Sequence, residues 1–167
     1  ALCIYLFQGS NQRIVPHNSK FDPYISAYTH GVISKKSSVR IVFQEKMVEI
    51  EKVDADLDNN FLSFSPSLNG KLKWINTRTL EFTPEKTLTQ EYPYIGSLKF
   101  NKIFPKKLPD SLHLFEFQFQ VIPQSYDVFI KKIATIDENA MFSQSVEGKL
   151  STSDFESIDD LSKIFKA

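Results

Sequence analysis

Cysteine is all but missing from this chain: Cys3 is the only one among 167 residues. An internal disulfide is therefore excluded, and so is a zinc site built on paired cysteines. Glycine is scarce as well, with five residues. That leaves little room for loops that cradle phosphate on backbone N–H groups, and no G-x-G-x-x-G, P-loop, G-x-S-x-G or H-E-x-x-H pattern occurs. Neither sign of charge is in excess, since Lys plus Arg and Asp plus Glu both number 20. Binding to nucleic acid rests on a basic surface that neutralises phosphates, so a polyanion partner is not expected. The doublets Lys35-Lys36, Lys106-Lys107 and Lys131-Lys132 are scattered and read as solvated turns. No apolar run approaches the roughly 20 residues of a membrane-spanning helix.

Phenylalanine, by contrast, is abundant: 15 residues, against one Trp and two Met. Aromatic side chains placed at alternate positions fit a pleated, half-buried surface. The clearest case is Phe115, Phe117, Phe119 and Val121 on one face, with Glu116, Gln118 and Gln120 on the other. Val39, Ile41 and Phe43 alternate in the same way with Arg40 and Gln44. Further strands are expected at 24–28, 29–33, 61–64, 71–75, 79–83 and 92–100. Asn76-Thr77-Arg78 joins two of them as a hairpin, Pro84 ends the second, and Pro93 confines the start of the next to an edge or bulge. Residues 45–60 are mixed, acidic and irregular. About seven short strands joined by turns within roughly a hundred residues predict an immunoglobulin-like antiparallel β-sandwich, placed at 24–123 after an N-terminal linker over 1–23.

Residues 124–167 have a different character. Tyr126–Ile130 and Ser145–Leu150 read as two strands. Ser153 and Glu156 match a capping box, and Phe155, Ile158, Leu161, Ile164 and Phe165 recur at the spacing of an amphipathic helix over about 154–166. The expected fold is thus mainly β: a sandwich followed by a small, partial β/α unit with a C-terminal helix.

Few residues offer chemistry. His17, His30 and His113 share no ligand spacing, and no pair of carboxylates is singled out for acid–base work. Asp54, Asp56 and Asp58 alternate as calcium ligands would. However, Asn59 and Ser65 stand where an EF-hand loop places Gly and Glu, and the stretch reads as a solvated acidic loop. Trp74, Tyr92 and Tyr94 suggest an aromatic platform for a sugar, although alternation with lysines puts Leu72 and Trp74 on one face, where Trp is usually core. The apolar opening, Ala1 to Phe7, reads either as the tail of a signal-peptide h-region or as an edge strand or unpacked terminus. A lipobox would make Cys3 a lipidation site, but bulky Leu2 stands where a small residue is wanted. No catalytic residue, cofactor or metal ligand is assigned, and the chain is read as a non-enzyme.

Three stretches together resemble a known family. They are Val32-Ile33-Ser34 with Val39–Phe43, Phe64-Ser65-Pro66-Ser67-Leu68-Asn69-Gly70, and Trp74 followed by Arg78-Thr79-Leu80-Glu81-Phe82-Thr83-Pro84, Leu88 and Tyr92. The pattern is similar to the N-terminal macroglobulin-like domain of bacterial alpha-2-macroglobulins of the Bacteroidetes type, over about 24–167. The resemblance implies a scaffold piece of an envelope-anchored protease trap. Its partners would be the neighbouring domains of the full-length chain and, indirectly, a target protease, with membrane contact only through an N-terminal anchor. The family's Cys-Gly-Glu-Gln thioester motif is absent here, because Cys3 is followed by Ile4-Tyr5-Leu6. No functional residue transfers. Bacterial Ig-like modules share the same turn pattern, so the alternative is a cell-surface adhesion or carbohydrate-binding module.

Overall fold

A computed structural model describes residues 13–90, 92–104, 108–135 and 144–164. Where a strand must bury one face, apolar side chains at every second position decide which face that is. β3 (Val39–Phe43) buries Val39, Ile41 and Phe43, and β9 (Leu114–Val121) buries Phe115, Phe117, Phe119 and Val121. These faces meet in a sandwich of two sheets. The five-stranded sheet runs β1 (Ile25–Tyr28), β3, β7 (Thr79–Pro84), β6 (Gly70–Asn76), β4 (Asp56–Leu57). The four-stranded sheet runs β2 (Gly31–Ile33), β9, β8 (Tyr94–Lys99), β5 (Leu62–Ser65).

Neighbouring strands are antiparallel with one exception, the parallel pairing of β2 with β9. The exception arises because one stretch of chain serves both sheets. β1 pairs with β3, and the chain then crosses at Gly31, whose φ of 71° suits a residue without a Cβ, so that β2 can pair beside β9. The strand absent from the sequence reading is the two-residue β4, in the acidic stretch. Its pairing with β6 through Asp56↔Lys73 and Leu57↔Leu72 is a long-range choice that no local period announces.

Aromatic rings make up half of the core. Phe64 of one sheet meets Phe82 of the other at 4.7 Å between ring centroids, and Tyr94 stacks on Phe119 at 5.3 Å. Phe100 opens a single helical turn after β8 (α1, Phe100–Ile103) and packs against Phe21 at 5.2 Å. Phe21, in the segment read as linker, is therefore a core residue with only 1% of its surface exposed. On the outer face of the five-stranded sheet Glu81 is buried and paired with Arg40 at 2.6 Å, its cross-strand neighbour in the register.

After Val121 the chain leaves the sandwich. β10 (Tyr126–Thr135) and β11 (Gln144–Thr152) form a separate two-stranded antiparallel sheet, followed by α2 (Ile158–Ile164). The molecule is thus mainly β, as expected, with a sandwich and a small appended hairpin and helix. The helix begins later than the Ser153–Glu156 box predicts. Its cap is Ser157, whose Oγ accepts from the Asp160 N–H at 3.1 Å and donates to the Asp160 carboxylate at 2.6 Å. That carboxyl is held below its ordinary range, first by the Ser157 hydroxyl and then by Lys163. Ser153 and Glu156 have other partners, described below. Among the described residues no helix is long and apolar enough to cross a membrane.

Candidate functional site

The residues singled out by sequence do not converge. Asp54 lies 3.3 Å from Lys73, Asp56 lies 3.7 Å from Lys71, and Asp58 accepts from Asn60. Cross-strand lysines on β6 thus neutralise two of the three carboxylates. Among the described residues no three of His, Cys, Asp and Glu group as metal ligands would. Trp74 and Tyr94 are buried on either side of the core, Trp74 against Phe43 at 5.5 Å, and only Tyr92 of the suggested platform is exposed. The reading of Trp74 as core is the one the packing supports. Cys3, Lys106, Lys107 and Phe165 lie outside the described residues.

Two histidines distant in sequence do come together. His17 contacts the Tyr28 hydroxyl at 3.2 Å and Asp22 at 3.0 Å, while the ring of His30 meets the Tyr28 ring edge-on at 5.5 Å. They line a groove of about 550 Å³ between β1 and β9. Its other charged wall is already satisfied: Arg13 grips Glu116 through two nitrogens at 3.1 and 2.5 Å, and the Val15 N–H donates to Gln118. The groove is therefore where residues 13–17 are stitched to the sandwich. His113 is elsewhere, its carbonyl accepting from the Phe100 N–H at 2.8 Å.

The surface feature that stands out is the β10–β11 hairpin. Opposed residues in an antiparallel pair share a face. The register Tyr126↔Thr152, Val128↔Leu150, Ile130↔Gly148 and Ile133↔Val146 therefore puts Tyr126, Val128, Ile130, Ile133, Val146 and Leu150 on one side. Ile130 and Ile133 are three apart and would fall on opposite faces of a regular strand. A bulge between Ile130 and Lys132 inserts one residue and returns Ile133 to the apolar side. Gly148 admits the tight pairing beside it, since a Cβ there would lie 2.7 Å from the Phe129 carbonyl oxygen. The opposite face carries Asp127, Lys132, Ser145, Lys149 and the Lys131–Glu147 ion pair at 2.8 Å, with Phe129 its one large apolar residue.

This apolar face is open. Tyr126, Val128, Ile130, Ile133 and Val146 are between 42% and 63% exposed. The largest apolar patch on a monomer is often functional, and a two-stranded hairpin alone is marginally stable in water. What the arrangement can do chemically is pack against another apolar surface. Its composition was legible in the sequence as two candidate strands. The bulge that makes it one-sided was not, because it depends on pairing across the hairpin.

Comparison with family models and with curated proteins returns no match. Among solved structures, the chain is similar to L,D-transpeptidase 3 from Mycobacterium tuberculosis in complex with a faropenem-derived adduct, at 12% identity and a TM-score of 0.39, over 77% of this chain and 46% of that one. An L,D-transpeptidase from Mycobacterium tuberculosis H37Rv aligns at 11% identity and a TM-score of 0.39, over 75% of this chain and 48% of that one. The chain thus spans just under half the length of these proteins, and similarity at this level carries no argument about activity.

Proposed function

We propose that this chain is a non-catalytic scaffold module of the cell envelope, from the N-terminal macroglobulin-like region of a bacterial alpha-2-macroglobulin-like protease trap. The observation that carries the reading is the asymmetry between its two parts. The sandwich is sealed around its core, while the hairpin presents one apolar face that the described residues leave exposed. Strands of ten and nine residues, two abreast, offer a face of only roughly 300–350 Å². A stable dimer needs about 800 Å² per partner, so the hairpin face alone is too small to found one. An area of that size on each side falls at the low end of interfaces between domains of one chain, which supports neighbouring domains as its cover. The rival reading, an Ig-like adhesion or carbohydrate-binding module, keeps only Tyr92 of its aromatic platform on the surface.

Three measurements test this. Sequencing the gene on either side of this segment is expected to reveal a Cys-Gly-Glu-Gln motif far downstream, whereas tandem Ig-like repeats would favour the adhesin. In solution the chain alone is expected to leave the cleavage of a protein substrate by a panel of proteases unchanged. Inhibition by the chain alone would contradict the scaffold reading, and a glycan-array signal abolished by Tyr92→Ala would favour the rival.

A further inference from the structure

We propose that Asp154, Phe155 and Glu156 form a clasp on the β2–β3 turn that fixes the hairpin at one angle to the sandwich, and so determines where its apolar face points. The inference concerns the joint and holds whatever larger protein the chain serves.

The receiving side of the clasp is rigid for local reasons. Ser34 to Ser37 close a turn through the Ser37 N–H to Ser34 carbonyl bond at 3.0 Å. The turn is tied to both flanks, since the Leu88 N–H donates to the Lys35 carbonyl and the Ile122 N–H to the Ile33 carbonyl, each at 2.9 Å. Three successive residues of the tail then meet three successive residues of this turn. Asp154 Oδ1 accepts from the Ser34 hydroxyl at 2.6 Å and from its neighbour's Phe155 N–H at 2.7 Å, and Oδ2 accepts from the Lys35 N–H at 2.7 Å. The Lys36 ammonium sits 3.1 Å from the centroid of the Phe155 ring, the geometry of a cation–π contact. Glu156 pairs with Lys35 Nζ at 2.8 Å, and these two side chains are only 10% and 18% exposed. The Tyr126 hydroxyl reaches the same Glu156 oxygen at 3.5 Å, joining β10 to the clasp.

The two passages of chain between the units are also bound to each other. The Ser125 N–H donates to Ser153 Oγ at 2.8 Å, the Ser153 N–H to the Ser125 carbonyl at 3.1 Å, and Ser153 Oγ to the Pro123 carbonyl at 2.8 Å. A flexible linker would leave its backbone to water. Here residues 122–125 and 153–156 lie side by side, and charge-assisted hydrogen bonds, the stronger kind, hold them to the turn. The Gln124 side-chain amide is enclosed in the same passage with no partner among the described residues.

The test uses the whole chain with Asp154→Ala, with Lys36→Ala, which removes the contact to the Phe155 ring, and with Ser34→Ala, which removes the bond to Asp154 and an acceptor for the Lys36 N–H. Trp74, the one tryptophan, reports the sandwich by its fluorescence. Hydrogen exchange over 126–135 and 144–152 reports the hairpin, and small-angle scattering reports the spread of shapes. Asp154→Ala is expected to leave the Trp74 unfolding midpoint in place, speed exchange in the hairpin at least about tenfold, and broaden the distance distribution. Lys36→Ala and Ser34→Ala are expected to do the same to a smaller degree. Unchanged hairpin exchange and an unchanged distance distribution in Asp154→Ala would overturn the proposal. So would a loss of Trp74 stability in all three variants in step with the hairpin, since that would make these contacts part of the sandwich core rather than of a joint.

Discussion

Gly96 lies on β8 directly opposite Phe117 of β9, and a Cβ at that position would lie 2.3 Å from the nearest atom of the Phe117 ring. The ring occupies the space because the Phe115–Phe117–Phe119 ladder stacks at 5.7 and 6.4 Å, with no slack along the strand. Gly96→Ala is therefore expected to destabilise the sandwich by about 1–3 kcal/mol, the usual range for an overfilled core. Denaturant unfolding followed at Trp74 checks this, and a variant as stable as the wild type would contradict the packing. The ladder itself was legible in the sequence, because period-two alternation is local. That Gly96 is its counterpart was not, since it follows from which strand lies alongside.

At the scale of the element, the tail shows where local pattern misleads. Ser153-Asp154-Phe155-Glu156 and Ser157-Ile158-Asp159-Asp160 are both acceptable capping sequences. The structure uses the second, because Asp154 and Glu156 are claimed by Ser34 and Lys35 on the far side of the joint, and Ser153 by Ser125 and Pro123 within it. Ser157→Ala is expected to cost α2 about 1 kcal/mol, seen as faster exchange within 158–164 while the Trp74 transition stays put. Ser153→Ala is expected to leave α2 unchanged and loosen the joint instead.

The clasp also has a defined pH range. Burial alone would raise the Asp154 carboxyl, but hydrogen bonds from Ser34, the Lys35 N–H and the Phe155 N–H, with the charge of Lys35, bring it below its ordinary value of 3.8. A depressed carboxylate contributes fully above its unfolded pKa, and the contribution is lost as pH falls through the folded value. The other charged or titratable groups facing it are Lys36, Glu156 and Tyr126. Protection of the hairpin, corrected for intrinsic exchange, is thus expected to be flat from pH 8 to about 5 and to fall below about pH 4. A loss already at pH 6 would contradict this assignment.

For the whole molecule, the fold class could be read from the chain because strand period, turn residues and an aromatic-rich, glycine-poor composition agree. The candidate site was only half visible. Val128, Ile130, Ile133 and Val146 were plainly apolar, but the bulge that gathers them on one face and the clasp that aims it arise from contacts between distant parts of the chain. The acidic run at Asp54, Asp56 and Asp58 was read as a solvated loop from its local spacing, but the lysines that pair with Asp54 and Asp56 belong to β6 and could not be seen there. If the scaffold account is right, the open face is covered in the complete protein.

Hydroxyl-radical footprinting measures that cover most directly, comparing this chain with the full-length product of its gene. The account predicts strong labelling of Tyr126, Ile130, Ile133 and Val146 in the chain alone and protection of all four in the full-length protein. Phe129 on the opposite face should stay labelled in both. Equal labelling of the apolar face in the two proteins would contradict the account.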